Sequence, residues 1–212
     1  FGIDSTVVYP PVETDKFKFM EKDKLILTVG RFSSSSQFKR HDLLIEAFKA
    51  LIKNGVRGWR MVIVGKVEDA QSLKIISELR SKIKGLPIAI KTDLEHERLR
   101  LLYGKSSVYW HAAGYGTDLN KFPERAEHFG ISTVEAMAAG AIPLSFAGGG
   151  QLEIINNGEN GFLWNNPHEL ISLTKKIIDD DKLREKISIS AIRRSENFSQ
   201  EIFCQKITSL FK

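Results

Sequence analysis

Two glutamates stand eight positions apart in the run Glu127-His128-Phe129-Gly130-Ile131-Ser132-Thr133-Val134-Glu135, with a glycine between them. A helix starting near Gly130 would leave the amides of residues 129–132 ahead of the first intrahelical acceptor, where they can bind an anion such as a phosphate. Glu135 then falls in the second turn, and its carboxylate can accept hydrogen bonds from two neighbouring hydroxyls, as on a ribose. Glu127 lies just before the helix and faces the group beyond the phosphates. A plainer assignment, with Glu127 complementing the helix dipole and Glu135 in solvent, fits the spacing alone equally well. A second group of residues is Gly30-Arg31-Phe32 with Lys39 eight positions after Arg31. Glycine lets a backbone turn close to a ligand, and a forked guanidinium and a compact ammonium on the two flanks of one loop suit a diphosphate. Arg40 competes with Lys39 for that place. Arg and Lys in loops are most often ordinary surface residues, so this pair is weak on its own.

These residues need a scaffold, and the sequence supplies one. Short β-branched runs alternate with longer amphipathic ones, the pattern of an α/β protein: a Rossmann-like parallel sheet with helices on both faces. Strands are expected over 25–29, 60–64, 88–91, 108–111, 142–145 and 161–163. Helices are expected over 42–54, 71–84, 96–103, 131–139 and 151–156, with three more after the last strand. Leu43, Leu44, Ala47, Phe48, Leu51 and Ile52 form one helical stripe and read as core. In such a sheet ligands bind at the carboxyl ends of the strands, which is where both residue groups fall. Two stretches break the rhythm: the serines 33–36, which read as a loop, and a long polar excursion over 114–126 between a strand and a helix.

Composition narrows the class. The 212 residues are 42% hydrophobic and 27% charged, enough for one sizeable core. No apolar stretch approaches the roughly 18 residues of a membrane span, and the first residues lack the grammar of a secretion signal. With a single cysteine, Cys204, no internal disulfide forms, and the five histidines show no zinc-site spacing. A cytoplasmic protein is expected. The net charge of +5 is modest and its basic residues are interspersed with acidic ones over 74–84 and 182–194. No basic cluster is interleaved with aromatics as a stacking surface for nucleic acid would be, so no nucleic-acid partner is expected.

The glutamate run, with its following Glu-Ala-Met-Ala-Ala-Gly, resembles the Glu, seven residues, Glu motif of glycosyltransferase family 4, the group 1 retaining enzymes of the GT-B fold. Val29-Gly30-Arg31-Phe32 with Lys39, the helix beginning Asp42-Leu43-Leu44, Gly148-Gly149-Gly150-Gln151-Leu152-Glu153, and Asn157-Gly158-Glu159-Asn160-Gly161 are similar to further signatures of that family, in the same order. The resemblance covers about residues 8–205. It implies the C-terminal, donor-binding half of a GT-B fold, with a retaining, metal-independent transfer of a hexose from a UDP- or GDP-sugar to a glycan or lipid-linked acceptor. It further implies that Arg31 and Lys39 hold the diphosphate, that Glu135 binds the ribose, and that Glu127 lies by the donor sugar. Gly30, Phe129, Gly130, Ile131 and Ser132 would complete the donor site, the residues after Glu127 by their backbone amides. No cofactor or metal is implied. The loop from Arg31 to Lys39 and the 114–126 excursion are both longer than usual for the family.

The remaining residues divide into core and open cases. His111 ends a strand near the cleft and is open between ligand contact and packing. His128 alternates away from the phosphate-facing amides and reads as structural. Trp59, Trp110 and Trp164 read as core edges, Glu153 as either a cap of its own helix or a ligand contact, and Cys204 as inert. Base recognition is expected through backbone around 91–94. Residues 1–12, with the stiff Tyr9-Pro10-Pro11-Val12, suit an interdomain linker or the end of an N-terminal acceptor domain; 13–195 form the nucleotide-sugar domain and 196–212 its last helix. Such a half should transfer no sugar alone, and the full-length protein should act in the cytoplasm, at the inner membrane face if it is peripheral. The competing functions are a non-catalytic nucleotide-binding or interaction module of GT-B origin and, more remotely, a nucleotide-sugar epimerase.

Overall fold

The computed structural model describes residues 5–32 and 39–211. The serines 33–36 lie outside the described residues. Six strands form one sheet: β1 (Asp23–Val29), β2 (Arg60–Gly65), β3 (Ile88–Thr92), β4 (Ser106–His111), β5 (Ile142–Phe146) and β6 (Phe162–Trp164). Their order is β3-β2-β1-β4-β5-β6, and every pairing is parallel. The chain leaves β1 toward one edge and β4 toward the other, so a crevice opens between the carboxyl ends of these two central strands.

Side-chain alternation explains why both faces are covered. In β1, Ile26 points to one face while Leu25 and Leu27 point to the other, and in β2, Met61 and Ile63 oppose Val62 and Val64. The first face is closed by α1 (His41–Lys53), α2 (Ala70–Lys82) and α6 (Pro167–Asp179), through Leu44, Phe48 and Leu51, Ile76 and Leu79, and Leu170 and Ile177. The second is closed by α3 (His96–Lys105) and α4 (Ile131–Ala138), through Tyr103 and Ala136. Behind α4 a third cluster gathers Val134 and Met137 with Ile154 of α5 (Gln151–Ile154), Ala191 of α7 (Asp181–Glu196) and Phe198, which precedes α8 (Gln200–Ser209).

Small departures from expectation have local causes. α2 is started by a reciprocal cap, Asp69 accepting from the Ser72 amide, and stops at Lys82 because Ile83 leaves the helical region and Gly85 turns with φ 75°. β6 is shifted by one residue, so Trp164 pairs with Phe146 within the sheet and is fully buried instead of flanking a strand. Val12 also belongs to the packed body: its amide donates to the Phe198 carbonyl at 3.0 Å and its side chain is buried. Among the described residues no helix is long and apolar enough to cross a membrane.

Candidate functional site

At the carboxyl ends of β1, β2 and β3 a cavity of about 730 Å³ opens between the loop after β1, the start of α3 and the start of α4. Gly30, Arg31, Lys39, Glu127, Phe129, Gly130, Ile131, Ser132 and Glu135 all line it, together with Lys66, Asp93, Leu94 and His96. Thus the two residue groups picked out by spacing, about a hundred positions apart in the chain, meet in one place.

The start of α4 leaves backbone amides facing the cavity. Gly130 precedes the helix with φ 115°, a left-handed conformation costly for any residue with a Cβ, and offers no side chain to cap it. The Thr133 and Val134 amides both bond to the Gly130 carbonyl, whereas those of Ile131 and Ser132 come too early in the helix for an intrahelical acceptor. A Cβ on Gly130 would sit 2.1 Å from Gln151 Nε2, and that amide donates to the Phe129 carbonyl at 3.2 Å. The glycine run before α5 acts in the same way. Added Cβ atoms would lie 2.3 Å from the Glu127 carbonyl oxygen at Gly149 and 2.6 Å from that of His128 at Gly150, while the Gly150 amide donates to Glu127 at 2.8 Å. Bare backbone at 149–150 therefore fixes the segment carrying Glu127.

Glu127 is only 18% exposed, and one of its oxygens serves two partners: Lys39 Nζ donates to Oε2 at 2.5 Å, and His111 Nε2 lies 3.0 Å away. Burial would raise the Glu127 pKa. The His111 bond and charge, joined by Lys39, outweigh it and hold the carboxyl at about 2. His111 itself is pushed down, first by burial, against the raising effect of Glu127, with Lys39 adding to the fall. Its Nε2 faces the carboxylate, which can only accept, while its buried Nδ1 has no hydrogen-bond partner among the described residues.

Glu135, within α4, has different company. The buried Tyr103 hydroxyl of α3 donates to Oε2 at 2.8 Å. Burial is the largest influence and raises the Glu135 pKa, opposed by the Tyr103 bond and by the charge of Arg100. Beside it the Tyr109 hydroxyl of β4 lies 2.9 Å from Ser132 Oγ and 3.3 Å from the Val29 carbonyl. Burial raises both phenols, so they stay neutral donors.

Arg31 lines the cavity but is 65% exposed and pairs with Glu68 at 3.3 Å. Such a surface pair is worth about 0–1 kcal/mol and is readily exchanged for a ligand. Arg40 is a correction: its side chain leaves this cavity for another, between α1, α2 and the 114–126 segment. There it bonds Asp42 at 3.2 Å and the Tyr115 carbonyl at 2.8 Å. Its backbone is left-handed, φ 50° and ψ 42°, at a cost of about 1–2 kcal/mol for a non-glycine residue. His128 is a second correction, because it is exposed and lies on the cavity wall instead of turning away from it. Glu153 does not cap α5, whose first turn has no side-chain cap; its carboxylate instead acts on the Tyr9 phenol, whose pKa it raises. Sequence reasoning missed Tyr103, Tyr109 and Gln151, which hold the site from below. Among the described residues no three His, Cys, Asp or Glu side chains are grouped as a metal-ion cage would group them.

A doubly wound parallel sheet with a bare helix start between two half-buried carboxylates defines a Rossmann-like α/β architecture, and the comparisons give it a family. The model of the family "Glycosyl transferases group 1" matches residues 11–194, and the chain belongs to that family. It is similar to a GDP-Man:Man(3)GlcNAc(2)-PP-Dol alpha-1,2-mannosyltransferase of Dictyostelium discoideum, 28% identical over 95% of this chain and 42% of the relative. A probable sucrose-phosphate synthase of Thermosipho melanesiensis is 27% identical over 87% of this chain and 40% of its own. The chain thus spans less than half the length of either relative. In structure it is similar to Anabaena Alr3699/HepE, solved with UDP and glucose, with a TM-score of 0.78 at 18% identity, over 97% of this chain and 56% of that one. The C-terminal domain of the group 1 protein LpcC from Francisella tularensis superposes with a TM-score of 0.72 at 21% identity, covering 89% of this chain and 99% of that domain. These two structural likenesses concern the fold.

Proposed function

We propose that the cavity binds the nucleotide-sugar donor of a retaining, family 4-like glycosyltransferase, of which this chain is the C-terminal, donor-binding domain. The observation that carries the reading is the arrangement of α4: free first-turn amides lie between a carboxylate paired with a cation, Glu127 with Lys39, and a carboxylate that accepts from a phenol, Glu135 with Tyr103. The diphosphate lies on the amides of Ile131 and Ser132, with Lys39 and Arg31 at its flanks. The ribose hydroxyls donate to Glu135, and the base rests near Asp93 and Leu94. Glu127 stays ionised beside the sugar, where a negative group steadies the positive charge that develops at the anomeric carbon. As the sugar leaves, charge grows on the diphosphate, and Lys39 and Arg31 supply the stabilisation a divalent ion would otherwise give, so no metal is required.

The donor is a UDP- or GDP-linked hexose and the acceptor a glycan or lipid-linked glycan. The likeness to a GDP-Man:Man(3)GlcNAc(2)-PP-Dol mannosyltransferase and to a structure solved with UDP and glucose supports these classes. An N-terminal domain presents the acceptor, so the chain by itself transfers no sugar at a useful rate, and the full-length protein works in the cytoplasm, peripheral to the inner membrane face. Calorimetry tests the reading. UDP or GDP should bind in the micromolar to millimolar range, and Arg31→Ala should weaken the diphosphate more than uridine or guanosine. A folded chain that binds neither diphosphate sinks the proposal, and sugar transfer by the chain alone refutes the need for the second domain.

A further inference from the structure

Lys39 and Arg40 are adjacent, yet one points into the cavity and the other away from it. What separates them is the left-handed backbone of Arg40, with Lys39 Nζ on Glu127 before it and His41, 4% exposed and 5.2 Å from the Phe32 ring, after it. Nothing in an arginine favours that conformation, so its surroundings must impose it. They do so through the guanidinium. Nη1 donates to the Tyr115 carbonyl at 2.8 Å, Nε and Nη2 donate to the two oxygens of Asp42 at 3.2 and 3.4 Å, and the cation lies 5.6 Å from the centre of the Tyr115 ring. Tyr115 is itself anchored to the sheet, its ring 5.4 Å from those of both Phe146 and Trp164. The next residue, Gly116, makes room for this contact: a Cβ there would stand 2.8 Å from Arg40 Nη1.

We infer that the 114–126 segment is a brace that acts through Arg40 to hold the Lys39 ammonium in register with the donor diphosphate. The inference rests on the proposed phosphate role of Lys39. A lysine on a four-carbon stem has many rotamers, and fixing its backbone turn is the economical way to confine the ammonium. Gly30 supplies the floor, since the Lys39 stem passes close over it, with Cγ 3.1 Å from where a Cβ on Gly30 would stand. Arg40 is a positioning residue, not a ligand of the donor.

The test measures binding of UDP, GDP, uridine and guanosine by calorimetry to the chain and to Lys39→Ala, Arg40→Ala, the double variant and Gly116→Ala, with thermal melts to check folding. Arg40→Ala should weaken the better-bound diphosphate about tenfold while leaving its nucleoside unchanged, and should add nothing in the Lys39→Ala background. Gly116→Ala, which displaces the guanidinium from the other side, should reproduce the selective loss. A Lys39→Ala variant that binds diphosphate normally overturns the phosphate reading and the brace with it. A loss in Lys39→Ala with Arg40→Ala silent, fully additive, or equally damaging to the nucleoside overturns the brace alone.

Discussion

Glu127 and Glu135 are the same residue on two sides of one helix start, and the protein treats them oppositely. Glu127 is met by Lys39 and His111 and held at about 2, whereas burial raises Glu135, whose direct partner is the neutral Tyr103. The contrast teaches that a buried carboxylate's role is set by its partner's charge. A cation keeps Glu127 anionic at the cost of occupying one of its oxygens; a phenol orients Glu135 and leaves its other oxygen open to hydroxyl donors.

The sharpest way to break the comparison is Glu127→Gln. The folded-state pKa of about 2 lies below the ordinary 4.5, so the ionised group contributes stability above pH 4.5 that is lost as pH falls through 2. Its neutral replacement should lower stability by about 3 kcal/mol at pH 7, with the deficit against the parent narrowing steadily below pH 4 in urea melts. An equal deficit at pH 7 and at pH 2.5, values chosen about those two pKa limits, would deny the charge assignment. Next in size is Gly150→Ala, whose Cβ would press on the His128 and Phe129 backbone. It should cost about 1–3 kcal/mol in the same melts and displace Glu127, while a fully neutral substitution contradicts the close approach.

Tyr103→Phe sharpens the other side. Removing the donor should leave Glu135 less ordered and weaken ribonucleotide binding by about 1 kcal/mol, reducing the preference for ribo- over 2′-deoxyribonucleotide. A preference that survives intact refutes the link between the phenol and ribose recognition. The smallest effect expected is Glu135→Gln, and its sign is reversed. Because the folded pKa is raised, the ionised form lowers stability above that pKa, and the cost fades as pH falls toward the unfolded value. The variant should melt slightly higher than the parent at pH 7 while binding nucleotide worse, the usual opposition of stability and function at a site. A lower melting temperature contradicts it.

Much of this was readable in the sequence because the signals are local. The β-branched runs alternate with amphipathic stripes and place every strand within a residue or two, and the glutamates share one segment with the glycine that must precede α4. What was not readable depends on packing between distant elements. Tyr103 and Tyr109 look like generic core aromatics until α3 and β4 are laid beneath α4. The choice between Lys39 and Arg40 turns on a left-handed residue that no glycine marks. His128 was misplaced because alternation along a short irregular segment does not predict which side faces a cavity. The ends of α2 and β6 shifted by one or two residues because a glycine turn and a strand register decide them.

Site-resolved carbon NMR of the Glu127 and Glu135 carboxylates tests the account most directly, followed from neutral to strongly acidic pH and again on saturation with UDP or GDP. The account predicts that Glu127 titrates near 2 and Glu135 above the ordinary 4.5, and that diphosphate binding moves both resonances, Glu127 as Lys39 is drawn to phosphate and Glu135 as ribose hydroxyls donate to it. Two carboxylates that titrate together, or that stay still while nucleotide binds, would contradict it.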